Sequence, residues 1–369
     1  MNPKEFNVIL SHGPNCVDGA MAMWCFWRKF SQTDKKMLAT EGGFYSYKSK
    51  NIKDKKYVHP NSIEGALAMQ AKGYKTVFVF VQHSDQIPES LILNKKVAIL
   101  DVDFGEQLAN IVDKASKVLL IDHHDSTLAS LQNLAAKITK KKEEKFSYCV
   151  DTSNTESAAS LAWKLIENTN VHPLLDIVRI GDIWDFDNNP HAKYILKSLN
   201  LRRSFKSFQH IDNLFNGWFK NYNVYLNEGK IVLEHSNSII NKIAKQCSLG
   251  YIETNDGSIY TVAYVQCNVL HSDVGATLKK YAVARFKINI DFCITWKYAP
   301  HKNIVSVSLR NDDTAINLSD IAKNIKGSDG NGGGHKDSAA FYFSGIENLH
   351  KFILKEHPLY KTTYYNTEY

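Results

Sequence analysis

Residues 96–124 read KVAILDVDFGEQLANIVDKASKVLLIDHH. The apolar run Lys96–Leu100 ends at a carboxylate, Asp101. A helix pattern follows over Gln107–Ser116, and a second apolar run, Val118–Ile121, ends at Asp122, His123 and His124. Two short apolar strands flanking one helix make a β-α-β unit, which requires parallel strands. In sheets of that kind the chemistry sits beyond the carboxyl ends of the strands, where this stretch places its polar residues.

The same alternation extends outward. Toward the N-terminus lie the strand runs Thr76–Val81 (TVFVFV) and Phe6–Leu10, with a helix pattern rich in Ala, Met and Trp over Gly19–Phe30. Toward the C-terminus, Thr127–Lys137 and Ser157–Asn168 carry helical periodicity. The expected fold class is therefore α/β, with a mainly parallel N-terminal sheet and flanking helices over residues 1–190. Residues 191–247, with Arg202, Arg203 and Lys206, read as a helical connector. Residues 248–369 read as a smaller α/β domain, with strands Ile259–Cys267, Asp291–Tyr298 and Ile304–Leu309. A helix pattern, Leu318–Ile325, then leads into the glycine cluster Gly327–Gly334. The charge run KITKKKEEK at 137–145 reads as a solvated loop, with a nucleic-acid patch as the alternative.

Composition narrows the class without deciding it. The chain has 369 residues, 44% of them apolar and 22% charged, as in globular proteins. Its 45 Lys and Arg against 38 Asp and Glu give a mildly basic +7, compatible with an anionic substrate. Cys16, Cys25, Cys149, Cys247, Cys267 and Cys293 are scattered, with no C-x-x-C pair, which argues against a disulfide framework or zinc ribbon. The polar start, Met1–Asn7, does not read as a signal peptide. No apolar run approaches the roughly 18 residues that span a bilayer. The expectation is a reducing, cytoplasmic compartment with no membrane partner.

Four clusters carry the candidate chemistry. The first is His12-Gly-Pro-Asn-Cys16-Val-Asp18-Gly19, between a strand and a helix. Here imidazole and carboxylate are ready metal ligands, although a turn with Asp18 as helix cap would look the same. The second is Asp101, directly off its strand, with Asp103 further into the loop. The third is Asp122-His123-His124. Three polar groups after an apolar strand cannot all be buried without partners; a metal satisfies carboxylate and imidazole together, and a further carboxylate can orient a ligating imidazole. The fourth is Ile180-Gly-Asp182-Ile-Trp-Asp185-Phe-Asp187, where Asp182 is the preferred acid and Asp185 the alternate.

In order and spacing these clusters resemble the motifs of the DHH phosphoesterase family, which includes RecJ-type single-strand exonucleases, nanoRNA hydrolases and cyclic-dinucleotide phosphodiesterases. Val305-Ser-Val-Ser-Leu-Arg310, followed by Gly332-Gly333-Gly334-His335-Lys-Asp-Ser-Ala-Ala340, resembles that family's C-terminal associated domain. The resemblance implies two divalent ions, Mn²⁺ first and Mg²⁺ or Co²⁺ next. It implies that His12 binds one ion, Asp18 and His123 the other, that Asp101 bridges them and that Asp182 completes the site. Asp122 would support a histidine, and His124 would face the phosphate. Arg310, the glycines and His335 would hold the substrate's phosphate or terminal nucleotide. The implied activity is release of mononucleotides from short oligonucleotides or nucleic-acid ends by metal-activated hydroxide. Alternatives are a cyclic-dinucleotide phosphodiesterase, a 3′-phosphoadenosine-5′-phosphate phosphatase, and a non-catalytic nucleotide-binding module. Monomer and homodimer both stay open.

One position departs from the family pattern. Its first motif usually reads H-x-x-x-D-x-D, and here Cys16 stands where the first acid would be. Thiolate is a soft ligand, whereas Mg²⁺ and Mn²⁺ favour oxygen. Three readings follow: Cys16 ligates a softer ion, water replaces the lost carboxylate on a weaker site, or Cys16 is a small packed residue.

Overall fold

The computed structural model describes residues 1–30, 61–202, 204–311, 315–325, 332–334, 336–352 and 355–356. His335 and Arg203 lie outside the described residues. Two compact units divide the chain, residues 1–232 and 233–369.

Unit 1 is built on five strands: β1 (Val8–His12), β2 (Val77–Val81), β3 (Lys96–Leu100), β4 (Lys117–Asp122) and β5 (Phe146–Val150). All are parallel, in the order β2-β1-β3-β4-β5. The strands alternate between two buried faces. Ile9, Phe78, Phe80, Ala98, Leu100, Leu119 and Ile121 join one core. Val8, Leu10, Val77, Val79, Val97, Ile99, Val118 and Leu120 join the other. A parallel sheet covered on both sides needs apolar residues at nearly every position, which is why these strands read as continuous apolar runs.

Helices α1 (Val17–Arg28), α2 (Ile63–Ala71), α3 (Glu89–Ile92), α4 (Gln107–Lys114) and α5 (Asp125–Lys137) connect or cover the strands. The basic run 137–145 contains a short helix, α6 (Lys140–Glu143), rather than loop alone. Next come α7 (Ala158–Glu167), α8 (Pro173–Asp182), α9 (Pro190–Leu201), α10 (Phe208–Asn216) and the long α11 (Trp218–Ala244), which runs through the boundary between the units. Ile195, Leu199, Phe208, Ile211, Leu214 and Trp218 lie in the same core as α1, α7 and α8. Much of the stretch read as a connector is thus packed into unit 1.

Strand order reverses at β1: the chain passes to β2 on one side and β3 on the other. Such a switch point opens a crevice at the carboxyl ends of the two central strands. His12 ends β1 and Asp101 follows β3.

Unit 2 holds a seven-stranded sheet of order β10-β11-β9-β8-β7-β6-β12. Its strands are β6 (Ser248–Glu253), β7 (Ile259–Gln266), β8 (Phe292–Ala299), β9 (Ile304–Arg310), β10 (Gly333–Gly334), β11 (Ser338–Ser344) and β12 (Lys355–Glu356). Among the described residues only β7 and β8 pair in parallel, and α12 (His271–Phe286) crosses between them, as a parallel connection demands. Helices α13 (Leu318–Asn324) and α14 (Ile346–Phe352) complete the unit. Ile252, Phe292, Val307, Leu309, Ile321 and Phe341 form one core; Ala263, Val265, Val274, Leu278 and Cys293 form the other. No helix among the described residues is long and apolar enough to cross a membrane.

Candidate metal centre

The turn from β1 into α1 is compact. The Ser11 hydroxyl donates to the Gly19 carbonyl at 2.8 Å. A Cβ on Gly19 would lie 2.2 Å from the His12 carbonyl oxygen, so only glycine lets α1 start this close to the strand end. Cys16 is the N-cap of α1, and its sulfur accepts from the Gly19 N–H at 3.4 Å. Asp18, by contrast, caps a different helix. Its carboxylate accepts from the N–H groups of Ala158 (2.7 Å) and Ala159 (3.1 Å), at the start of α7. An anion there is favoured by the helix dipole as well as by the hydrogen bonds.

Asp101 leaves β3 in the left-handed region, φ 58°, and is 1% exposed. Such a conformation is costly for a residue with a Cβ and tends to persist where a side chain must be aimed. Its Oδ2 lies 3.0 Å from Cys16 Sγ and 3.8 Å from His12 Nδ1. Its Oδ1 lies 3.4 Å from His123 Nε2. The same His123 nitrogen is 3.0 Å from Asp182 Oδ2. Donor atoms of His12, Cys16 and Asp101 all lie within 4.8 Å of one another, as do those of Asp18, His123 and Asp182. Asp101, Asp122, His123 and His124 form a third such group, and Asp101 presents one carboxylate oxygen toward His12 and Cys16 and the other toward His123.

Asp182 arrives on the last residue of α8, which opens with His172 as N-cap and Pro173 in its first turn. An acid at a helix C-terminus works against the dipole, so helix stability does not explain it. Asp185, the alternate, accepts side-chain hydrogen bonds from Asn188 (2.6 Å) and Asn189 (2.9 Å) and shapes its own loop. It is absent from every donor cluster among the described residues.

Whether these residues fit metal ions can be tested on His123. Its Nε2 is buried and, although close to two carboxylates, is aligned for a hydrogen bond with neither among the described residues. A buried imidazole nitrogen without a hydrogen bond costs stability, and a cation between it and the acids removes that cost. Electrostatics agree. Burial disfavours a charged His123 imidazole, yet Asp101, Asp182 and Asp18 together push its pKa up to about 11. Burial, then Asp182 and Asp101, pushes the Asp18 carboxyl well above the usual carboxylate range. This much gathered negative charge is what a bound cation neutralises.

Asp122 has a different task. It is fully buried, and it accepts from the His123 N–H (2.8 Å), from His124 Nδ1 (2.7 Å) and, through a short contact, from the Thr127 hydroxyl. Burial alone would raise its pKa, but these donors, led by His124, hold it below the ordinary value. A carboxylate accepts only, so His124 Nδ1 carries the proton and Nε2 is left for another partner. The hydrogen bond His124 donates to Asp122 is also the main reason the His124 pKa is raised.

One residue of the site escaped the sequence reading. His83, two positions past β2, places its ring 5.1 Å from His12 and 6.1 Å from His124. Its Nδ1 meets the Asp103 carbonyl at 3.0 Å, which fixes that nitrogen as the donor. The available signal was its place after the TVFVFV strand. The same rule would also have selected Asp151 after β5, whose carboxylate instead holds Ser153 and Thr155 in a local turn.

In unit 2, Arg310 and the glycines flank one strand. Arg310 pairs with Ser338 of β11, and Gly334 pairs with Ala339 of the same strand. The guanidinium donates to the Leu309 carbonyl and to Ser272 Oγ (2.9 Å), at the start of α12. Packing explains two glycines. A Cβ on Gly332 would lie 2.0 Å from the Ala322 carbonyl oxygen, and one on Gly334 would lie 2.4 Å from that of Ser338. Around Gly333 there is open space.

No family model matches the chain, and no curated protein matches it. Among solved structures, it is similar to a pGpG-specific phosphodiesterase, PggH, from Vibrio cholerae, with 10% identity, TM-score 0.40, and 94% of this chain and 95% of that one covered. It is similar to CDC45 from Entamoeba histolytica, with 10% identity, TM-score 0.34, and 95% and 94% covered. It is similar to a putative family II inorganic pyrophosphatase from Methanococcus jannaschii, with 12% identity, TM-score 0.22, and 79% and 85% covered. In motif order the chain resembles the DHH phosphoesterases.

Proposed function

We propose that unit 1 is the catalytic unit of a metal-dependent phosphodiesterase that releases mononucleotides from short oligonucleotides or nucleic-acid ends. The observation that carries this reading is Asp101, buried at the switch point of a parallel sheet, with one oxygen toward His12 and Cys16 and the other toward His123. A pair of divalent cations bound there would supply a water of lowered pKa and positive charge for a phosphoryl group.

The chain's own residues have distinct tasks. His12, Cys16 and Asp101 would hold one cation; Asp18, His123, Asp182 and Asp101 the other. Asp18 is fixed by two backbone N–H donors, so its remaining lone pairs are held in place before any ion arrives. Asp122 holds His124 by Nδ1, leaving Nε2 to donate to a phosphoryl oxygen as negative charge builds there. Arg310 suits a phosphate through its fork of N–H donors.

The test is turnover by the purified full chain with Mn²⁺, Mg²⁺ and Co²⁺ in turn. Substrates are a 5′-phosphorylated dinucleotide, a longer RNA, single-stranded DNA, a cyclic dinucleotide and 3′-phosphoadenosine-5′-phosphate. The expected result is mononucleotide release from the dinucleotide, abolished by EDTA and by His123→Ala. Failure to hydrolyse any of the five with any metal overturns the reading.

A further inference from the structure

The two donor groups around Asp101 differ chemically. The Asp18, His123 and Asp182 group offers nitrogen and oxygen; the His12, Cys16 and Asp101 group offers nitrogen, oxygen and sulfur. Resting on the two-cation reading above, we propose that the His12–Cys16–Asp101 corner binds a borderline-soft divalent ion of the zinc, ferrous or cobalt class through the Cys16 thiolate. The centre is then unequal, with a sulfur-ligated ion on one side of Asp101 and an oxygen- and nitrogen-ligated ion on the other.

Geometry is the first support. Cys16 Sγ is 3.0 Å from the Asp101 oxygen that also faces His12 at 3.8 Å. Three different donor atoms thus converge on one point from three elements: the end of β1, the cap of α1 and the turn after β3. The sulfur is also held in place, because it accepts from the Gly19 N–H at 3.4 Å at the start of α1. Without a cation the Cys16 S–H donates to Asp101 at 3.0 Å. Ion binding replaces that proton, which passes to solvent, and joins sulfur and carboxylate through the metal.

Ligand preference is the second support. Magnesium and manganese favour an all-oxygen or oxygen-and-imidazole shell, whereas thiolate selects zinc and its neighbours. A bland role for Cys16 makes a different prediction. If the thiol merely donates a hydrogen bond that steers Asp101, serine does the same and still caps α1 well.

The experiment is a cobalt titration of the metal-free full chain, followed by absorption in the near ultraviolet and by metal analysis. Wild type is expected to bind two equivalents, one of them with an intense sulfur-to-cobalt charge-transfer band. Cys16→Ser is expected to lose the band and to bind one of the two ions about tenfold or more weakly, as loss of a ligand implies. In competition, Cys16→Asp should move that site's preference from Zn²⁺ toward Mn²⁺. Two cobalt equivalents without a sulfur band overturn the assignment of Cys16 and leave the two-cation reading standing. A wild-type band that survives in Cys16→Ser also overturns it. No cobalt bound at all overturns both.

Discussion

Asp18→Asn separates the structural task of Asp18 from its proposed ligand task. The Asp18 carboxylate is 1% exposed, caps α7 through Ala158 and Ala159, and faces Asp182 and His123. Without a cation, burial and the neighbouring acids favour its protonated form. Asparagine matches it in size, but each Asp18 oxygen accepts one backbone N–H and an amide nitrogen cannot, so in EDTA the variant should be about 1–3 kcal/mol less stable than wild type, the cost of one buried donor left unpaired. With metal the two should diverge further. A site held at 100 times its dissociation constant stabilises the fold by about 2.7 kcal/mol, and the variant loses one such site. For a unit of residues 1–232, about 2–4 °C of melting temperature per kcal/mol predicts a further gap of roughly 5–10 °C. Thermal unfolding of both proteins, with EDTA and with saturating Mn²⁺ or Co²⁺, measures it. An equal rise in both on adding metal refutes the assignment of Asp18 to the centre.

Four further outcomes follow from the same geometry. Asp182→Asn should remove about one equivalent of bound metal, whereas Asp185→Asn, whose acid is engaged by Asn188 and Asn189, should leave metal content unchanged by elemental analysis. His83→Ala should lower kcat/KM by about tenfold or more, as for a group that orients the residues of a metal site, without changing metal stoichiometry; unchanged kinetics would remove His83 from the site. Gly19→Ala would set a Cβ 2.2 Å from the His12 carbonyl, so an overpacking loss of about 1–3 kcal/mol should outweigh its helix-propensity gain of about 1 kcal/mol, as denaturant unfolding would show. His172 is held at a pKa of about 4 by burial and the Arg28 charge, below the 6.5 of an ordinary histidine. The unfolded chain therefore binds the extra proton between those values, and stability falls as pH drops through that window, by at most about 1.4 kcal/mol per unit. His172→Asn, which can still cap α8, should flatten that slope relative to wild type in urea melts at pH 4.5 and 7.

Much of unit 1 is legible because both faces of its sheet are buried. KVAIL, TVFVFV and VLLI can serve little else than central strands, and the polar residues at their ends stand out by contrast. Asp101, Asp122 and His123 stand out this way, whereas Asp182 ends a helix pattern. What stayed hidden depends on contacts far apart in sequence. Nothing near Asp18 reveals that it caps a helix 140 residues later, and its own helix is capped by Cys16 instead. His83 and Asp151 both follow strands of the same sheet. One reaches the site and the other closes a local turn, a difference set by Asp103 and by Ser153 and Thr155 rather than by the strands. The glycines 332 and 334 suggest room for an anion, yet neighbouring carbonyls supply a packing reason for them. Helices α9 and α10 read as a connector because their apolar stripes do not name their partner; the core they join was set by residues before 183.

Asp101 is proposed to lie between two cations. Anomalous diffraction from crystals of the full chain grown with Co²⁺ tests this directly. Two peaks are predicted, one on each side of Asp101, the first against His12 and Cys16 and the second against Asp18, His123 and Asp182. A map with no peak beside Asp101, or with the ions held elsewhere, would contradict it.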